Sequence, residues 1–151
     1  MPALSFSGTP KRGPFYELVQ KGEKTVTTRK LRKHPIKPGD NLVLYWKQRT
    51  PIKNKPVHKI GDATCIRSLT YASMKALLLS LRVTGILSYI KQEGFDNLGE
   101  LVEWWTGEKA SSYGIMNGGV LLDSDSWDVL EATGPVQVIE FILNSQGERK
   151  Q

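Results

Sequence analysis

Lys24-Thr25-Val26-Thr27-Thr28-Arg29 gathers an amine, three hydroxyls and a guanidinium into six consecutive residues. A β-strand turns alternate side chains to one face. Thr25, Thr27 and Arg29 are therefore expected on one side, with Val26 and Thr28 on the other. A hydroxyl beside a guanidinium suits a phosphate, a carbonyl oxygen or the edge of a nucleobase. A half-exposed strand with its polar face in water accounts for the same residues, because β-branched side chains favour strands in any case.

The hexapeptide has to be positioned by its neighbours. Ala3 to Ser7 alternates apolar and polar residues and reads as a short strand. Phe15, Leu18 and Val19 fall at helical spacing, and Gly22 follows as a stop, which predicts a two-turn helix ahead of the strand. Lys30 to His34 is a dense basic loop. Pro38-Gly39 predicts a turn, leading into an apolar strand over Asn41 to Gln48. Arg49 to Lys59 is a polar, proline-bearing loop, and a strand is expected over Ala63 to Leu69. Three helices follow, at about 73–80, 83–92 and 98–105, with Ser73 and Asn97 or Asp96 as caps. Thr106 to Trp127 is long for a structureless loop, so it is either a functional loop or conceals a short element. Pro135 to Leu143 is a final strand, and 145–151 reads as a frayed tail. The order predicts an α+β fold: a small, partly closed β-barrel with surrounding helices, forming one domain over 1–144.

Composition narrows the classes. With one cysteine, Cys65, no internal disulfide and no cysteine-pair zinc site can form. His34 and His58 sit in basic loops without carboxylate neighbours, so neither a metal nor a cofactor is expected. No apolar run reaches membrane-spanning length and the N-terminus lacks a signal-like apolar stretch. A cytoplasmic protein that does not enter the membrane is the expectation. Charge is uneven. Residues 1–67 carry 15 Lys and Arg against 4 Asp and Glu, a balance of +11, whereas residues 68–151 stand at −5. That asymmetry fits a polyanionic partner such as RNA or a modified nucleoside. Lys11, Arg12, Lys30, Arg32, Lys33, Arg49, Lys53 and Lys55 are the candidates for phosphate contact. Plain solubility explains them equally. Exposed aromatics beside such cations suit base stacking. Tyr45 is therefore a substrate-contact candidate, and of the adjacent Trp104 and Trp105 one is expected in the core and one in a cleft.

Three segments in order, Lys24 to Arg29, Ile36-Lys37-Pro38-Gly39-Asp40 and Lys59-Ile60-Gly61-Asp62, resemble the ASCH domain of the PUA-like superfamily. Glu93-Gly94-Phe95 before a helix and Val138 to Phe141 as a last strand are similar to its later motifs. The resemblance spans about residues 4–143. It implies a PUA-like barrel, a link to RNA, and, by analogy with small members that hydrolyse N(4)-acetylcytidine, a metal-independent amidohydrolase. By motif, the implied catalytic residues are Lys24, Thr27 and Glu93, with Arg29 and Thr25 as substrate contacts. The chain departs from those members at Thr28, where an apolar residue is usual, and in its extra length at 106–127.

Amide cleavage needs a nucleophile, a base, stabilisation of an oxyanion and a proton for the departing amine. Thr27 becomes a nucleophile only if Lys24 takes its proton, and Lys24 does so only when neutral. A free lysine titrates near ~10.4, so a lysine neutral at pH 7 has been shifted by roughly three units, about 4 kcal/mol against its charged form. Burial and Arg29 push that way; Glu93 opposes, and is also placed to protonate the leaving amine. In a regular strand Lys24 and Thr27 face apart. Lys24 is therefore expected at the strand's mouth, its stem curled inward. Thr25 and Thr28 are rival nucleophiles. An RNA-binding module without turnover, or a ribonuclease using the same basic cleft, remain the alternatives.

Overall fold

The computed structural model describes residues 2–46, 58–81, 83–116 and 119–144. Its centre is a five-stranded sheet built from β1 (Ala3–Ser5), β2 (Val26–Lys30), β3 (Asn41–Trp46), β4 (His58–Tyr71) and the last strand. That strand, Val136–Leu143, is β7, counting the hairpin strands β5 (Tyr113–Met116) and β6 (Gly119–Leu122). The order across the sheet is β1-β3-β4-β7-β2, and it curls into half a barrel. β1 runs parallel to β3 and the remaining pairs are antiparallel. Register shifts at Leu44/Tyr45 and at Cys65/Arg67 supply the bends, since an extra residue in one strand sharpens its local twist.

The returning strand is the hinge of the architecture. β7 lies between β4 and β2, so a segment near the C-terminus fixes the hexapeptide near the N-terminus: Thr27 pairs with Ile139, and Arg29 with Gln137. Apolar side chains of β7 (Val136, Ile139, Phe141, Leu143) enter the core. Gln137 is buried as well, and it is satisfied. Its amide nitrogen donates to Ile36 O and Ser68 Oγ, and its amide oxygen accepts from Ile36 N. This clamp holds the basic loop after β2 against the sheet.

The helices are α1 (Phe15–Gln20), α2 (Met74–Ser80), α3 (Val83–Glu93), α4 (Leu98–Thr106) and α5 (Ser124–Glu131). Ser73 and Asn97 cap α2 and α4 as expected, accepting from the backbone N–H of Ala76 and Glu100. The 106–127 segment conceals more than one short element: the β5–β6 hairpin and the start of α5. Asp123 caps α5 by accepting from Ser126 N, and Ser126 and Leu130, four apart, face inward. β4 is also longer than the expected Ala63 to Leu69. Ile60, Gly61 and Asp62 lie within it, because pairing with β3 carries the ladder back to His58. The expected tail and most of the proline-bearing loop lie outside the described residues.

Candidate functional site

Two helix ends build the site. α1 closes on Gly22 (φ 77°): Glu23 N–H reaches Leu18 O and Gly22 N–H reaches Val19 O, the double bond pattern of a glycine-terminated helix. α3 closes the same way on Gly94 (φ 99°), with Phe95 N–H on Ile90 O and Gly94 N–H on Lys91 O. The first reversal delivers Lys24, whose own N–H also reaches Leu18 O. The second leaves Glu93 at the end of α3. Thr25 joins the two, its N–H donating to Gln92 O and its carbonyl accepting from Phe141 N–H.

Lys24 and Glu93 meet as a buried ion pair, Nζ to Oε1 at 3.0 Å, with about 4% and 3% of each residue exposed. The other two ammonium protons go to Glu93 O at 2.7 Å and Val26 O at 2.9 Å. All three donors are therefore used, and the cation sits against the negative end of α3. Beneath it, the Phe15 ring centroid lies 4.6 Å from Nζ. Burial pushes the Lys24 amine below its ordinary value; Glu93 opposes that shift and Arg29 adds to it. Desolvation is the larger influence, which is the direction a lysine base requires.

The second carboxylate oxygen of Glu93 accepts from the Tyr89 phenol at 3.0 Å. Tyr89 Oη also lies 2.6 Å from Thr28 Oγ1. A phenol has one proton, and here it goes to Glu93, so Thr28 must be the donor to Tyr89. The Thr28 hydroxyl thereby points its proton at Tyr89 while Thr28 itself stays on the cavity wall. Burial, followed by the nearby Glu93 charge, pushes the Tyr89 phenol well above its ordinary value, so it remains a donor. Tyr89 was not among the residues singled out in the sequence. Its signal was its position four residues before Glu93 on one helix face.

Thr27 is in a different state. Its Oγ1 accepts from Arg29 Nε at 2.9 Å, which leaves its own proton available to another acceptor and sets a cation against the hydroxyl oxygen. Arg29 is fixed in turn by a bond to Ser5 O at 2.6 Å and by lying 4.9 Å from the Phe6 centroid. Lys24, Thr27, Arg29 and Glu93 line one cavity of about 370 Å³, with Thr28 and Lys30 also on its wall. The apolar wall comes from Phe6, Phe15, Phe95, Trp104 and Trp105.

The remaining predicted residues divide. Lys24 stands before β2, so the expected conflict of faces between it and Thr27 does not arise. Thr25 also precedes the strand. It does not share the Thr27 face; it borders a separate hollow with Ile66, Phe141 and Ile142, because its backbone is engaged on both sides. Tyr45 is half-buried on β3 opposite Ser5, and is not among the residues lining the cavity. Lys30, Lys11 and Lys33 are exposed. Arg12 is tied to Lys91 O and lies 4.0 Å from Asp96, and Arg32 donates to Ala3 O, so both pin loops. Arg49, Lys53 and Lys55 lie outside the described residues. No group of three or more potential metal ligands occurs among the described residues, and none of their helices is long and apolar enough to cross a membrane.

Compared with protein families, curated proteins and solved structures, the chain finds no match in any of the three.

Proposed function

We propose that the chain is a PUA-like, ASCH-type amidohydrolase that removes an acyl group from the exocyclic amine of an acylated cytidine or a related nucleoside. The observation that carries this reading is a buried lysine–glutamate pair opening on the same cavity as a threonine whose hydroxyl accepts from an arginine. A buried ion pair is a weak stabiliser, since desolvating both charges offsets most of their attraction. Such a pair on the wall of a cavity that also holds an arginine-bound hydroxyl supports the reading of a reacting site.

The chemistry begins with a proton shift across the 3.0 Å bond from Lys24 Nζ to Glu93 Oε1, leaving a neutral amine beside a neutral acid. That exchange removes two buried charges: desolvation of the Lys24 ammonium pushes toward it, and attraction to Glu93 pushes against it. Because the Nζ bonds go to Val26 O, Glu93 O and Glu93 Oε1, the Thr27 proton passes to the amine through a water as Oγ1 attacks the acyl carbon. The C–N bond breaks, the leaving cytosine amine receives the Glu93 proton, and the acyl group rests on Thr27 as an ester. Glu93, now a carboxylate, takes a proton from water as the hydroxide attacks the ester carbon; the Lys24 ammonium returns its proton to Thr27 Oγ1 as the C–O bond breaks, and the released acid gives its own proton to solvent and leaves as the carboxylate. Arg29 offsets negative charge gathering at and around Thr27 Oγ1.

Purified protein incubated with N(4)-acetylcytidine under excess EDTA is expected to release cytidine and acetate, and Thr27→Ala to release neither. Equal release by Thr27→Ala, or none by the wild type, rejects the reaction for this substrate. The basic N-terminal half favours a second reading, an RNA-binding module in which the cavity holds a base without turnover. RNA affinity falling steeply with salt, with no release of cytidine, selects that reading.

A further inference from the structure

We propose that Trp104 is a fixed stacking platform for the heterocycle of a single nucleoside, so that the cavity recognises the ring of its ligand and not only the acyl-amide group. The inference rests on the nucleoside reading of this cavity and adds to it a recognition element on α4.

Trp104 lines the cavity and is 49% exposed, although an indole is among the most costly side chains to leave in water. Its neighbour Trp105 is also on the cavity wall but packs back onto the core and is less exposed. The exposed indole is held from behind. Phe15 meets it nearly edge-on, with centroids 5.0 Å apart and an interplanar angle of 77°, and Phe95 lies 5.9 Å away at 50°. On another side the chain has given up a side chain to admit it. A Cβ at Gly8 would fall 2.1 Å from Trp104 Cη2 and 2.7 Å from both its Cζ2 and Phe15 Cε2. The indole is thus wedged in place before any ligand arrives, and its ordering costs nothing further on binding.

The geometry also joins the platform to the charged pair. Phe15 touches Trp104 and also has the Lys24 ammonium 4.6 Å from its centroid. A ring seated on Trp104 therefore stands in the same cavity as the groups that would act on its exocyclic amine. The occupant indicated is one base with its sugar and not a run of stacked nucleotides. The cavity, about 370 Å³, falls at the small end of the range for small-molecule sites, and a single platform stacks a single ring. Stacking a base on an aromatic side chain contributes roughly five- to a hundredfold in affinity.

The test is a calorimetric titration of the full chain with cytidine and with N(4)-acetylcytidine, for the wild type, Trp104→Leu and Trp104→Phe. Leu keeps apolar bulk without a π face, and Phe restores the face. Trp104→Leu is expected to weaken cytidine binding about tenfold or more, and Trp104→Phe to stay within about threefold of the wild type. Gly8→Ala, which displaces the indole without altering it, is expected to weaken binding in the same direction. Circular dichroism and melting of each variant show whether it is folded. Equal affinities in wild type, Trp104→Leu and Gly8→Ala overturn the platform, while release of cytidine by the wild type would keep the hydrolase reading. Trp104-dependent binding without release supports the platform and rejects the hydrolase. Absence of binding to either nucleoside by the wild type overturns both.

Discussion

Lys24→Met keeps an apolar stem against Phe15 and deletes one charge with three donated hydrogen bonds, to Glu93 O at 2.7 Å, Val26 O at 2.9 Å and Glu93 Oε1 at 3.0 Å. Glu93, about 3% exposed, is left with a buried carboxylate held by the Tyr89 phenol. Removing one partner of a buried ion pair costs about 3–5 kcal/mol. That is a large fraction of a domain's total stability of roughly 5–15 kcal/mol. At about 2–4 °C per kcal/mol for a chain of this size, the expected fall in melting temperature is roughly 6–20 °C. Glu93→Gln keeps an oxygen for the ammonium to bond and is expected to cost about 2–4 kcal/mol. The double variant removes both charges, so its cost should fall short of the sum of the single costs by about 2 kcal/mol or more. Urea unfolding of all four proteins at pH 7, with the slopes compared, measures this cycle. If Lys24→Met costs less than about 1 kcal/mol, or the single costs add to within about 0.5 kcal/mol, the two groups are not coupled in the interior. The proton exchange on which the proposed chemistry depends would then have no electrostatic basis.

Among the threonines, Thr27→Ala should abolish hydrolysis. Thr28→Val, which removes only the donor to Tyr89, should keep activity within a few fold and cost about 1 kcal/mol of stability; loss of turnover in Thr28→Val alone would reverse the assignment. Alkaline unfolding separates two buried groups by sign. The folded-state pKa of Lys24 lies below its ordinary 10.5, so between the two values the unfolded chain binds more protons and stability gains as pH rises; Lys24→Met should lack that gain. Tyr89 is raised above 10.0, so above that pH the folded chain binds more protons and stability falls as pH rises; Tyr89→Phe should lack that fall, and a parallel alkaline loss in both proteins would refute it. Gly94→Ala would place a side chain at φ 99° with Cβ 3.1 Å from Leu18 Cδ1 and 3.3 Å from Phe15 Cε1. A loss of about 1–2 kcal/mol is expected from the backbone alone, and activity should fall with it because Glu93 adjoins the strained residue; an unfolding midpoint equal to the wild type's would show that the reversal is not needed.

Local signals in the sequence were sufficient for much of this chain. Glycine at 22, apolar spacing in Phe15, Leu18 and Val19, and caps at Ser73 and Asn97 predicted α1, α2 and α4, because these are decided within a few residues. The largely apolar run from Pro135 to Leu143 marked β7. The α+β class followed from element order. Where long-range pairing decides, the sequence was less legible. β4 runs back to His58 because β3 offers it partners, and α5 hides in an Asp- and Ser-rich stretch whose buried face is Ser126 and Leu130. Gln137 breaks the apolar pattern of β7, and its burial makes sense only once Ile36 and Ser68 are beside it.

The site divides along the same line. Residue types at 24–29 and at 93 named a lysine, a threonine, an arginine and a glutamate, and an arginine two residues along a strand from a threonine is close enough to bond it whatever the rest of the chain does. Which threonine keeps its proton was not written in the hexapeptide. It depends on Tyr89, sixty-one residues from Thr28, arriving on α3 with its phenol committed to Glu93. The burial that lowers the Lys24 pKa, and the packing that leaves Trp104 more exposed than Trp105 on the cavity wall, come likewise from segments far apart in the chain. Chemical identity is local, whereas desolvation and proton ownership are properties of the enclosure, and only the folded chain forms it.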